Sequence, residues 1–217
     1  MNMPLLMQSL PNSGSTWFAS VLAQSIPDTR YFMEFFNPAQ NADHEYLLST
    51  HFGCELCAYY PNIAIGDDEG IDHVIEATWG SENYNFTKEV FSPFKTEVFT
   101  RHFNVFVFLR REQETFPPNR GRVWCFYEHA WFALERLGYP LHGDDMRSRA
   151  IEAFHVMYRR IIEDATALDI PIIWWHDLFN DPHEMAHKLR PVFGDRMAPL
   201  LKAIERTRER RPRPAAA

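Results

Sequence analysis

Leu5-Leu6-Met7-Gln8-Ser9-Leu10-Pro11-Asn12-Ser13-Gly14-Ser15-Thr16-Trp17 is the stretch whose reading decides the fold. It opens as a short apolar run, breaks at Pro11, and passes through small polar residues into Phe18-Ala19-Ser20-Val21-Leu22-Ala23. That order reads as a buried strand, a tight turn and a helix start. The first turn of a helix carries unpaired backbone N–H groups and the positive end of the macrodipole, so it attracts anions. Gly14 lets the backbone come close to a bound oxyanion, and Ser13, Ser15 and Thr16 add hydroxyl donors. A nucleotide-triphosphatase loop is excluded, because that pattern ends in Gly-Lys-Ser/Thr and no lysine lies here. Without an anion, the same residues make an ordinary capped helix after a strand.

This loop resembles the 5′-phosphosulfate loop of the sulfotransferase family, Pro-Lys/Arg-Ser-Gly-Ser/Thr-Thr-Trp. Six of the seven positions match, at Pro11 and at Ser13 to Trp17, and Asn12 stands where the family places a cation. The resemblance implies an α/β fold, a three-layer P-loop-type parallel sheet with helices on both faces. It also implies 3′-phosphoadenosine 5′-phosphosulfate (PAPS) as sulfuryl donor. Its loop would be Asn12, Ser13, Gly14, Ser15 and Thr16, with the N–H groups of 13 to 16 on the 5′-phosphate and Trp17 flanking the adenine.

Composition sets the outer limits. The 217 residues suffice for one domain, 1–217, with a basic C-terminal tail from about residue 206. An apolar content of 46% and an aromatic content of 15% suit a globular chain and argue against disorder. The net charge of −7 gives no reason to expect nucleic-acid binding. No secretory leader is recognisable, and no stretch reaches membrane-spanning length. Three cysteines do not make a disulfide framework, so a cytoplasmic location is expected.

Along the chain, residues 16 to 26 read as the first helix, closed by Pro27-Asp28. Tyr31-Phe32-Met33-Glu34-Phe35-Phe36-Asn37-Pro38 is a short aromatic strand or turn with one acid inside. A carboxyl among aromatics is a candidate for the raised pKa of a general base or acid, or simply an outward group on an edge strand. Bacterial trehalose-type sulfotransferases are similar here, with a glutamate in a Glu-Tyr-Phe-like setting after the loop; the resemblance implies Glu34 as base. Thr50-His51 is similar to the Thr-His pair of the cytosolic members, which makes His51 the reserve base. His51-Phe52-Gly53-Cys54-Glu55-Leu56-Cys57 also invites a zinc reading, but a closed site needs four ligands and no second pair stands at finger spacing. Buried apolar cysteines are the better account.

Phe86-Thr87-Lys88-Glu89-Val90 reads as a strand, and Ser92-Pro93 as a cap and first turn of a helix with Phe94, Val98 and Phe99 on its apolar face. Asn104-Val105-Phe106-Val107-Phe108-Leu109-Arg110-Arg111 is the clearest strand, apolar throughout as a doubly covered strand must be. Strand, helix and strand ending in arginine match the sulfotransferase plan. The resemblance therefore places Lys88 at the transferred sulfuryl group and Arg110 on the 3′-phosphate. The family's serine beyond the arginine is missing, with Thr115 nearest to its place. On residues alone, Arg110 is equally well a solvated end of a core strand.

Residues 124 to 137 read as an aromatic helix with Gly138 as C-cap, Gly143-Asp144-Asp145 as a hinge, and 147 to 168 as a long amphipathic helix. Ile170 to Trp175 is a buried strand, followed by Asp181 as cap and Pro182 at the first helical position. Asp177-Leu178, Asp181-Pro182 and Val192-Phe193-Gly194 again resemble the family, with His176 replacing a glutamate. Inside this run, His183-Glu184-Met185-Ala186-His187 has the zincin pattern. It sits in the first helical turn, whereas a metal helix carries the motif well inside, so no metal is expected.

The resemblance thus implies a PAPS-dependent sulfotransferase acting on an acceptor hydroxyl of a sugar, lipid or small molecule. Two alternatives stand beside it: a non-catalytic nucleotide-binding relative, and a zinc hydrolase through His183 and His187. Acceptor identity and oligomeric state are not legible. If Glu34 takes the hydroxyl proton, Glu34→Gln abolishes turnover while donor binding survives. Unchanged turnover in a sulfuryl-transfer assay removes the assignment.

Overall fold

The computed structural model describes residues 3–11, 13–25, 29–33, 68, 72, 75–76, 85–90, 95–115, 131, 134–135, 137–194 and 197–210. In chain order these form β1 (Leu5–Ser9), α1 (Ser15–Ser25), β2 (Tyr31–Met33), β3 (Phe86–Val90), α2 (Thr96–His102) and β4 (Asn104–Leu109). Then come α3 (Glu112–Thr115), α4 (Met146–Ala167), β5 (Ile172–Trp174), α5 (Asp177–Asn180), α6 (Pro182–Phe193) and α7 (Met197–Arg210).

The strands form one parallel sheet in the order β2-β3-β1-β4-β5. The central strand β1 and its neighbour β4 are the apolar runs read from sequence. Every residue of β1 is buried, and so is β4 from Val105 to Leu109. Side chains alternate along these strands with the two-residue period of extended chain. Leu6, Val105, Val107 and Leu109 pack with Val98 and Phe99 of α2 and with Ala153, Phe154, Met157 and Ile161 of α4. Leu5, Met7, Phe106 and Phe108 pack with Phe18 and Leu22 of α1, Met185, Leu189 and Phe193 of α6, and Leu200 and Ile204 of α7. The alternation sorts the helices. Connections β1 to β2 and β3 to β4 run in opposite directions along the sheet, so right-handed crossovers carry α1 and α2 to different apolar clusters.

Local signals set several boundaries. The Asp181 carboxylate accepts from the N–H groups of His183 and Glu184 at 3.0 and 2.9 Å, with Pro182 opening α6 as expected. Asp145 caps α4 by accepting from Ser148 N–H at 2.7 Å. Gly138 has φ +83, and the bonds from Gly138 N–H to Glu135 and from Tyr139 N–H to Leu134 complete a Schellman-type end. The helix before β4 opens at Lys95, whose side chain makes no capping bond. The expected start at Ser92-Pro93 lies outside the described residues, as does most of the aromatic run 124 to 137. The residues expected to be a hinge, Gly143 to Asp145, are tied to α4, since Arg149 Nε also donates to the Gly143 carbonyl at 2.8 Å.

Among the described residues, no helix is long and apolar enough to cross a membrane. The order reverses direction at β1, with β3 and β2 on one side and β4 and β5 on the other. That reversal is a topological switch point, and the loop after β1 lies at its carboxyl end. Phe106 is fully buried in β4 and its ring lies 5.5 Å from that of Phe193. Phe106→Ala is expected to lower unfolding free energy by about 3–5 kcal/mol in urea titration. A loss under about 1 kcal/mol contradicts this packing of the sheet.

Candidate anion site at the carboxyl edge of the sheet

The loop between β1 and α1 is a turn closed by Ser13 N–H donating to the Leu10 carbonyl at 3.3 Å. Gly14 follows with φ +84, a conformation that side chains beyond glycine rarely adopt. Space also forbids a side chain there. A Cβ at Gly14 would stand 2.8 Å from Trp175 Cζ3 and 3.2 Å from Arg110 Nη2. The first bond of α1 then runs from Phe18 N–H to the Gly14 carbonyl at 3.1 Å. The loop therefore delivers its backbone to the helix N-terminus as the sequence implied, and Gly14 keeps that backbone bare.

The hydroxyls divide in role. Ser13 is fully buried, and its Oγ accepts from Ser15 N–H at 3.3 Å, stabilising the turn from within. Ser15 is also buried, whereas Thr16 is exposed. Thr16 Oγ1 accepts from Lys88 Nζ at 2.9 Å. Lys88 itself is 1% exposed in the middle of β3, beside Met7 of β1 in register. A lysine in such a place needs a compelling partner, because burying an ammonium is costly unless it is hydrogen-bonded and balanced. The strand places the amine under the first turn of α1.

Arg110 comes from the far side of the loop, just past the end of β4. Its Nε donates to the Ser13 carbonyl at 3.1 Å, and its guanidinium carbon lies 4.2 Å from the centre of the Trp175 ring. Its own carbonyl accepts from Tyr158 OH at 2.8 Å. Burial, with Glu112 and Glu114 adding repulsion, pushes that phenol up to about 12, so it remains a donor at neutral pH. Trp17 completes the aromatic edge, 5.3 Å from Trp175 between ring centres. Two cationic side chains from different strands thus converge on the loop, one from below at Thr16 and one from the side at Ser13 and Gly14.

Thr115 does not stand in for the family's serine in a simple way. It is fully buried, and its hydroxyl bonds back to the carbonyls of Arg110 and Arg111 at 3.3 and 3.0 Å. Of the acids near Arg110, Glu112 is held by His155 Nδ1 at 2.5 Å. Asn12, Glu34 and His51 lie outside the described residues, as do Cys54 and Cys57. His183 and His187 are exposed on α6, and Glu184 between them lies 3.5 Å from Lys188 on the surface. Among the described residues, no group of three metal-ligating side chains is assembled.

Trp175 is the participant that sequence reasoning passed over. It belonged to a recognised run, but nothing local links it to Gly14 or Arg110. Its one legible signal was position, an aromatic residue at the carboxyl end of a parallel strand. No protein-family model matches the chain, and no curated protein does either.

Gly14→Ala combines a left-handed backbone angle with a methyl group inside the Trp175 ring contact. It should lose about 1–2 kcal/mol of stability from the backbone alone, with a change in tryptophan fluorescence. A variant with unaltered stability and emission contradicts the described loop.

Proposed function

We propose that the protein transfers a sulfuryl group from PAPS to the hydroxyl of a small-molecule or carbohydrate acceptor. The observation that carries this reading is the convergence of Lys88 and Arg110 on the glycine-bared N-terminus of α1, at the switch point of a parallel sheet. The family resemblance of the loop supplies the identity of the anion. The sheet order and the two apolar clusters support the finer assignment to the three-layer P-loop type.

The residues present fit such a donor. The bare backbone at Gly14 lets the Arg110 guanidinium and the Trp175 ring close on the loop, and amide N–H groups with a helix dipole favour phosphate over neutral ligands. Bound there, the donor supplies the sulfuryl group, whose bond to the phosphate oxygen breaks as the acceptor oxygen bonds to sulfur. The amides of residues 13 to 16 are assigned to the phosphate, with those of Ser13 and Ser15 giving up their bonds to the Leu10 carbonyl and the Ser13 hydroxyl. Lys88 offsets negative charge gathering on the bridging oxygen, and Thr16 holds its amine in place until then. Glu34 is assigned the hydroxyl proton, with His51 in reserve. Arg110 is assigned a donor phosphate, which a guanidinium grips better than an ammonium does.

One observation favours a second reading, a non-catalytic nucleotide-binding relative. The Thr115 hydroxyl is spent on the Arg110 and Arg111 carbonyls, which weakens the case for strong 3′-phosphate recognition. Nucleotide binding without turnover on any acceptor would identify that relative. The zinc hydrolase has less support, since His183 and His187 lie exposed on α6 with no third ligand among the described residues.

Calorimetric titration with 3′-phosphoadenosine 5′-phosphate tests the shared core of both readings. Wild type should bind at micromolar level, and Arg110→Ala should lose about 2 kcal/mol, roughly thirtyfold. A wild type that binds none overturns the nucleotide assignment.

A further inference from the structure

The Trp175 indole is wedged among four elements. Its backbone N–H donates to the Leu109 carbonyl at 2.7 Å, which anchors it to the end of β4 one residue before Arg110. Its ring stands edge-on to Phe108 at 6.1 Å and tilted against Trp17 at 5.3 Å, and it is 8% exposed. The Arg110 guanidinium stacks on it at 4.2 Å, and two of its ring carbons lie 2.8 and 3.1 Å from where a Cβ of Gly14 would be. An arginine side chain has many rotamers and five donors, so its direction is undetermined until something holds its plane. Here the indole holds the plane, and the Ser13 carbonyl holds the rotation through Nε. The same ring closes the space over Gly14.

We propose that Trp175 is a positioning residue, which presents the Arg110 guanidinium to the loop. For its effect on ligand affinity, this rests on the reading of the loop as a nucleotide-phosphate site. Trp175 acts through Arg110 and need not touch the reacting atoms. The ring is required for its flat electron-rich face, which phenylalanine keeps in part and leucine lacks.

The test combines a binding cycle with a measurement that needs no ligand. Affinity for 3′-phosphoadenosine 5′-phosphate is measured on wild type, Trp175→Leu, Trp175→Phe, Arg110→Ala and the Trp175→Leu/Arg110→Ala double variant. Trp175→Leu should lose about tenfold, and Trp175→Phe should stay within about threefold of wild type. In the Arg110→Ala background, Trp175→Leu should lose less than about twofold further, because the two side chains act as one unit. Equal losses in both backgrounds mean that the ring serves general packing, and overturn the proposal. In parallel, phenylglyoxal modification of Arg110 is followed by peptide mass mapping in the unliganded proteins. Removing the indole should speed modification several-fold, and an unchanged rate overturns the proposal. If Trp175→Leu does not fold, Trp175→Phe carries both measurements, with a smaller rise in modification rate expected. If wild type binds no nucleotide, the donor assignment falls alone, and the modification rate decides whether Trp175 positions Arg110.

Discussion

The guanidinium of Arg110 lies between the Ser13 carbonyl and the Trp175 indole, and the carboxyl edge of the sheet is arranged around that contact. It joins the end of β4, the turn after β1 and the segment leaving β5. Each of these would otherwise be an independent chain end at the rim of the sheet. A partly desolvated cation on an indole face is worth about 0.5–2 kcal/mol, a modest sum for stability. Its larger consequence is geometric. With the loop carbonyl turned toward Arg110, the amides that follow open α1, and the absent side chain at Gly14 is what allows the approach.

Polar residues gather at the same end of the sheet. Gln8 and Ser9 on β1, and Lys88 and Glu89 on β3, are all nearly inaccessible to solvent. Part of this group is held by the helices opposite α1. Gln8 Nε2 donates to Thr96 Oγ1 at 3.1 Å, and Thr96 bonds on to Asp164, which pairs with Arg160 at 2.8 Å. Burial pushes the Asp164 carboxyl above the usual carboxylate range, with Arg160 working against that shift. Apolar residues at these positions would fold more cheaply, since buried polar groups must recover their lost hydration one bond at a time. Such groups are concentrated at the carboxyl end of the parallel sheet, the end that carries the loop after β1. The amino-terminal halves of β1, β3 and β4 carry the buried apolar residues Leu5, Leu6, Phe86 and Val105.

The parallel α/β architecture was legible because it rests on local regularities. The unbroken apolar run in β4 demanded cover on two sides, and Asp181-Pro182 marked the start of α6 through the orphan N–H groups of a helix N-terminus. The loop of Ser13 to Thr16 was legible for the same reason, since a glycine flanked by hydroxyl residues after an apolar run marks the turn from strand to helix. Lys88 and Arg110 were placed by their strands, and the structure brings both to the loop. Ser13 differs from expectation in role: its hydroxyl faces inward to the Ser15 amide instead of outward. Composition could not tell an inward serine from an outward one, because the difference lies in a single turn of backbone.

The sequence by itself determined the strands β1, β3, β4 and β5, the helices α1, α4 and α6, and that a helix start opened by Gly14 would follow the first strand. These follow from interactions between residues close in the chain, where side-chain period, caps and glycine angles operate. Tertiary structure alone decided that Lys88 Nζ would meet Thr16 and that Arg110 would lie on Trp175. These contacts join residues from different strands and loops, and depend on sheet order and the reversal at β1. Neither is written in the composition of a single segment.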